Sequence, residues 1–172
     1  MQRIATFEYA QDIADALEMV PAPIRDRLQH VQFLCDTDPL FSGLVRSWYK
    51  EHPYDPGAEV TIACCYPWST SDGTTTIIVR RPTWPGGIVH EIGHALHAAI
   101  GFEHVADPVT DYAGNNRREA FAEAFRAWVQ PDGGWAYEFS GYGDPDTAHD
   151  DVATRRLFER LADGDFSKWS LK

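Results

Sequence analysis

An α+β fold with one small sheet of three to four strands is what this sequence predicts, and three observations predict it. Strand-like runs of β-branched and apolar residues precede the two longest helical periodicities. The length of 172 residues suits one domain spanning residues 1–172. Hydrophobic residues make up 44% of the chain, with nine Phe, seven Tyr and six Trp to fill a core. Residues 1–82 read as a scaffold that carries the sheet. Residues 83–172 read as two helices bearing polar motifs, followed by a C-terminal helix.

Taken in order, Ile13, Ala16, Leu17 and Val20 recur at helical spacing and predict a helix over residues 8–19, which Pro21 and Pro23 stop. A second short helix follows from Ile24 to Leu28. Val31-Gln32-Phe33-Leu34-Cys35 reads as a strand, ended by Asp36-Thr37-Asp38-Pro39. Residues 40–58 have no clear period, and His52 to Gly57 is irregular. Val60 to Tyr66 and Thr74 to Val79 are strand runs, joined by a Ser-, Asp- and Gly-containing linker that suits an antiparallel pair. The pattern then turns helical over residues 85–100, with Pro85 in the first turn and Gly101 past the end. A helix over residues 116–130 is stopped by Pro131. Residues 132–150 form a Gly-, Asp- and aromatic-rich loop, and Val152 to Ala162 is a last helix.

Composition narrows the function classes. Fifteen basic residues against 26 acidic ones give a net charge of −11, which weighs against nucleic acid as a partner. No apolar run reaches the roughly 18–20 residues that cross a bilayer, so no membrane partner is expected. Acid interrupts the N-terminal residues before a leader-like stretch forms, so a cytoplasmic location is expected. The cysteines, Cys35, Cys64 and Cys65, are odd in number and contain no Cys-x-x-Cys. They predict buried free thiols, not a disulfide framework or a cysteine-bound zinc. The sequence sets no oligomeric state.

The chemistry sits in His90-Glu91-Ile92-Gly93-His94. Residues four apart share a helix face, so two imidazoles can bind one Zn²⁺. Glu91 lies about 100° round the helix from His90, where it can reach a zinc-bound water without itself being a ligand. Ile88, Val89, Ile92, Leu96 and Ala99 form an apolar face nearly opposite the histidines. A catalytic zinc needs a third protein ligand. The metzincin pattern is excluded, because Ile100 stands where its third His would be and His97 where its Gly would be. His104 is a candidate, placed beyond Gly101. Glu119 and Glu123 are others, at i,i+4 on the next helix and opposite a stripe of Phe121, Ala124, Phe125, Trp128 and Val129. The two polar faces converge on one metal if the helices pack by their apolar faces. Otherwise Glu119, Glu123, Arg126 and Gln130 make a solvated face, and Asn116 with Glu119 a capping box.

His90-Glu91-x-x-His94 followed by Glu119-Ala-Phe-Ala-Glu123-Ala-Phe resembles the gluzincin metallopeptidases. The closest likeness is to the group containing the anthrax lethal factor catalytic domain and the Pro-Pro endopeptidases, at the size of the minigluzincins. The resemblance covers about residues 86–129. It implies a zincin-like fold and a zinc endopeptidase acting on a peptide or protein substrate. It implies His90, His94 and Glu119 as ligands of one catalytic Zn²⁺, Glu91 as general base, and Glu123 as the group orienting a ligand histidine. Tyr112, seven residues before Glu119, is implied as the oxyanion donor. Thr74 to Arg80 would be the edge strand that aligns substrate. Arg80 and Arg81 are candidates to read an acidic group on it. The segment 95–118 is shorter than in the large toxins. His97, absent from the family's pattern, lines the cleft or is solvated, and the solvated reading is preferred. With His104 it is a candidate cleft residue.

Two alternatives stay open. One is a latent or catalytically weak metal-binding interaction protein, its cleft plugged by residues 132–150 or by the tail from Lys168 to Lys172. The other is a protease dedicated to one intracellular regulator.

Overall fold

Why the helices start and stop where they do is visible in their caps. The computed structural model describes residues 10–35, 63–66, 75–79, 85–108, 112–130 and 151–169. Helices α1 (Ala10–Met19) and α2 (Ala22–Arg27) are separated by Pro21, which occupies the N-cap of α2. Three strands follow: β1 (Gln32–Cys35), β2 (Ala63–Tyr66) and β3 (Thr76–Val79). Helix α3 (Pro85–Ala99) ends in a Schellman motif. There Gly101 takes φ +74° and donates to the Ala98 carbonyl, while Phe102 N–H reaches back to the His97 carbonyl at 2.9 Å. A 3₁₀ turn (Tyr112–Asn115) leads into α4 (Arg117–Val129), and α5 (Val152–Ala162) follows. Asn116 caps α4, its Oδ1 accepting from Arg118 N–H and Glu119 N–H. Asp151 caps α5 through Thr154 N–H. Each such cap contributes about 1 kcal/mol to its helix.

The molecule is therefore a mixture of helices and a small sheet. Among the described residues the sheet has three strands in the order β1-β3-β2. The expected antiparallel pairing of β2 with β3 is present, Cys64 opposite Ile78. β1 runs parallel to β3, with Phe33 opposite Ile77. This corrects one expectation. β3 was to be the free edge that aligns substrate, yet it is the central strand, with both backbone edges engaged. Its four residues are all buried, which is why it reads as a continuous apolar run rather than an alternating one. Arg80 and Arg81, residues 36–62 and the loop over 132–150 lie outside the described residues, as do the side chains of Cys35, Cys64 and Cys65.

One hydrophobic cluster runs from Ile13 and Ala16 on α1, through Phe33, Ile77 and Val79 on the sheet and Ile88, Ile92 and Leu96 on α3. It continues to Phe121 and Phe125 on α4 and Phe158 on α5. Helix α4 lies between α3 and α5, so Ala120 to Arg126 are all buried. That sandwiching removes the solvated face considered for Glu123 and Arg126. No helix among the described residues is long and apolar enough to cross a membrane.

Candidate metal centre

The site begins with a close approach of two helices. Gly93 sits between the motif histidines on α3, and a Cβ built there would stand 2.9 Å from Ala122 Cα and 3.2 Å from Phe125 Cβ on α4. Any side chain at Gly93 would push the helices apart. The contact brings Glu119 and Glu123, one turn apart on α4, against the histidines one turn apart on α3. Asn116 fixes the first turn of α4 through Glu119 N–H at 3.1 Å, and so also fixes where that carboxylate starts.

His90, His94 and Glu119 form a group that could hold a metal ion. His90 Nε2 lies 3.1 Å from Glu119 Oε2 and 3.1 Å from His94 Nε2, and His94 Nε2 lies 3.4 Å from Glu119 Oε2. Corners of a tetrahedron of Zn–N bonds of about 2.0–2.1 Å are about 3.3–3.4 Å apart. The donor triangle thus matches a tetrahedral face within a few tenths of an ångström, and its imidazole and carboxylate donors suit zinc chemistry. The three side chains keep 12%, 15% and 18% of their surface exposed, so the triangle is largely covered and retains some access to solvent.

Electrostatics hold the triangle together. Burial alone would lower the His90 pKa, but hydrogen bonds to Glu119 and Glu123 and the nearby charge of Glu91 outweigh it and push it up to about 10. Burial would raise Glu119, yet its bonds to His90 and His94 hold it below the usual carboxylate range. A bound metal takes the place of a proton shared in this way.

Behind the triangle, His90 Nδ1–H donates to Glu123 Oε1 at 2.7 Å, and Glu123 is 1% exposed. This bond keeps a proton on Nδ1, because an ionised carboxylate only accepts, and turns Nε2 toward the other donors. Glu91 is 8% exposed and adjoins His90.

The remaining expected residues divide. The backbone of Tyr112 opens the 3₁₀ turn before α4, while its side chain lies outside the described ones. His97, preferred as solvated, is 2% exposed and stacks on Phe121, with ring centroids 4.1 Å apart and planes within 7°. It neither faces solvent nor lines an open cleft, because α4 and Phe102 cover that side of α3. His104 stays outside the metal group. Its Nε2–H donates to Thr154 Oγ1 at 2.7 Å, and the Thr154 hydroxyl in turn donates to Asp151.

Two contributions are not foreseen in the sequence: the close approach at Gly93, and Arg126, placed there on a solvated face but buried at 7% exposure. A glycine inside an amphipathic helix costs about 1 kcal/mol and so signals a packing reason. Arg126 stands three residues after Glu123, a spacing at which opposite charges meet. Comparison with protein-family models, curated proteins and solved structures returned no match.

Proposed function

We propose that this protein is a zinc-dependent metalloendopeptidase. The observation that carries the reading is the donor triangle of His90, His94 and Glu119, with separations of 3.1–3.4 Å on two helices locked by Gly93. A zinc ion bound there would supply Lewis acidity and make water acidic enough to serve as a nucleophile near neutral pH. The chain's own residues supply the rest. Glu91, beside His90, takes a proton from the attacking water on its carboxylate and passes it to the departing amine. Glu123 keeps the Nδ1 proton of His90 in place. Tyr112 is the residue that the resemblance to gluzincins assigns to the oxyanion. The zincin-like fold belongs to this same reading.

Glu91 is what favours catalysis over a purely structural metal. A structural ion needs no carboxylate beside its ligands, whereas a catalytic one uses it as a base. An extended peptide would add to β2, which packs against α3 and is an edge strand among the described residues.

The test is cleavage of a peptide library by zinc-loaded protein, read as new termini by mass spectrometry. Glu91→Gln is expected to keep one zinc per chain and lose at least about 100-fold in cleavage, the range of general acid–base catalysis. Undiminished cleavage by that variant would overturn the mechanism.

A further inference from the structure

Arg126 has no part in the chemistry above, yet it is placed to control it. It sits one turn after Glu123 on α4 and is 7% exposed. Its Nη1 lies 3.1 Å from Glu123 Oε1, the same oxygen that accepts from His90 Nδ1–H at 2.7 Å. One carboxylate oxygen therefore receives two donors from different helices. Together they fix it in two directions. The carboxylate is 1% exposed, and a buried charge is tolerated only when paired. Arg126 pairs with it whatever charge the imidazole carries.

We propose that Arg126 is a positioning residue for the metal centre. Its guanidinium holds Glu123 where it accepts the His90 Nδ1 proton, and so keeps His90 Nε2 directed at His94 and Glu119. The inference rests on the reading of that triangle as a zinc site. Arginine suits the task because its planar fork resists rotation and keeps its charge when buried. Groups that orient a ligand histidine change metal affinity by about 10–100-fold, and a residue one step further out belongs near the lower end of that range.

The experiment measures zinc affinity by chelator competition on the full chain, with folding followed by circular dichroism. Arg126→Met is expected to weaken zinc binding by about 10-fold, and Arg126→Lys, which keeps the charge, by no more than about 3-fold. In a Glu123→Gln background, Arg126→Met is expected to add almost nothing, because its route to the metal has been cut. A slowly exchanging His90 Nδ1 proton in the NMR spectrum of the zinc-loaded wild type is expected to persist in Arg126→Lys and broaden in Arg126→Met. A general loss of packing would not sort the variants in this way. If Arg126→Met does not fold, Arg126→Gln takes its place in both measurements. The proposal is overturned if the folded variant binds zinc as the wild type does, if Lys is as poor as Met, or if the cost persists in the Glu123→Gln background. A wild type that takes up no zinc would instead overturn the metal-site reading.

Discussion

The ring of His97 is held face to face with Phe121 and edge-on to Phe102, and its Nε2–H donates to the His104 carbonyl at 2.9 Å. Nδ1 is buried with no hydrogen-bond partner. Burial pushes its pKa down to about 4, and the charges of His94, His104 and Arg118 push the same way. In the unfolded chain the same group titrates near 6.5. Between pH 6.5 and 4 the unfolded state therefore binds a proton that the folded state refuses. Stability is complete above that window and falls as pH drops through it, by about 1.4 kcal/mol per pH unit for this one group. His97→Phe keeps the stack and removes the proton, at the loss of one hydrogen bond worth about 1 kcal/mol. Denaturant melts at pH 7, 5.5 and 4.5 should show a shallower fall for the variant than for the wild type. Parallel slopes would show that His97 is not the group that charges. His97 was misread because helical spacing tells which residues share a face but not which neighbour covers it.

At the scale of elements, the α3–α4 contact decides whether there is a site at all. Ligands come from both helices, so their spacing transmits directly to the donor triangle. Gly93→Ala places a methyl group 2.9 Å from Ala122 Cα, a backbone atom that cannot turn aside. Overpacking of this kind costs about 1–3 kcal/mol, against a gain of about 1 kcal/mol in helix propensity. The variant should melt below the wild type and lose zinc affinity more than it loses stability, as read by calorimetry beside chelator competition. Unchanged affinity would mean that α4 is positioned by other contacts. Much of this architecture was legible in the sequence. The extents of α3, α4 and α5, the Asn116 cap and the β2–β3 pairing follow from local periodicity and turn chemistry. The parallel pairing of β1 with β3 was not legible, because it joins residues 32–35 to 76–79 across more than forty positions. No local pattern reports that contact, and it is what turns β3 from an edge into a centre. The metal triangle was half legible. The HExxH spacing fixes two donors on one helix, whereas Glu119 depends on where a second helix lands.

At the scale of the whole molecule, the metal centre and the core share their supports. Helix α3 carries His90 and His94 outward and Ile88, Ile92 and Leu96 into the hydrophobic cluster, while α4 carries Glu119 on one side and Phe121 and Phe125 on another. Bringing three donors within 3.1–3.4 Å requires both helices to be folded and packed, so the unfolded chain offers no comparable site. An ion that binds only the folded state stabilises it by RT ln(1 + [L]/Kd), about 2.7 kcal/mol at free zinc of 100 times Kd. Zinc should therefore raise the Tm of the wild type in proportion to the logarithm of its concentration, and a chelator should reverse the rise. In Glu119→Ala the triangle loses its only carboxylate and its link between helices. That variant should melt at the same temperature with and without zinc, and elemental analysis should find its zinc content well below one per chain. Zinc-dependent stabilisation that survives Glu119→Ala would show that the ion is held without Glu119, and the link between core packing and the metal would then run through α3 alone.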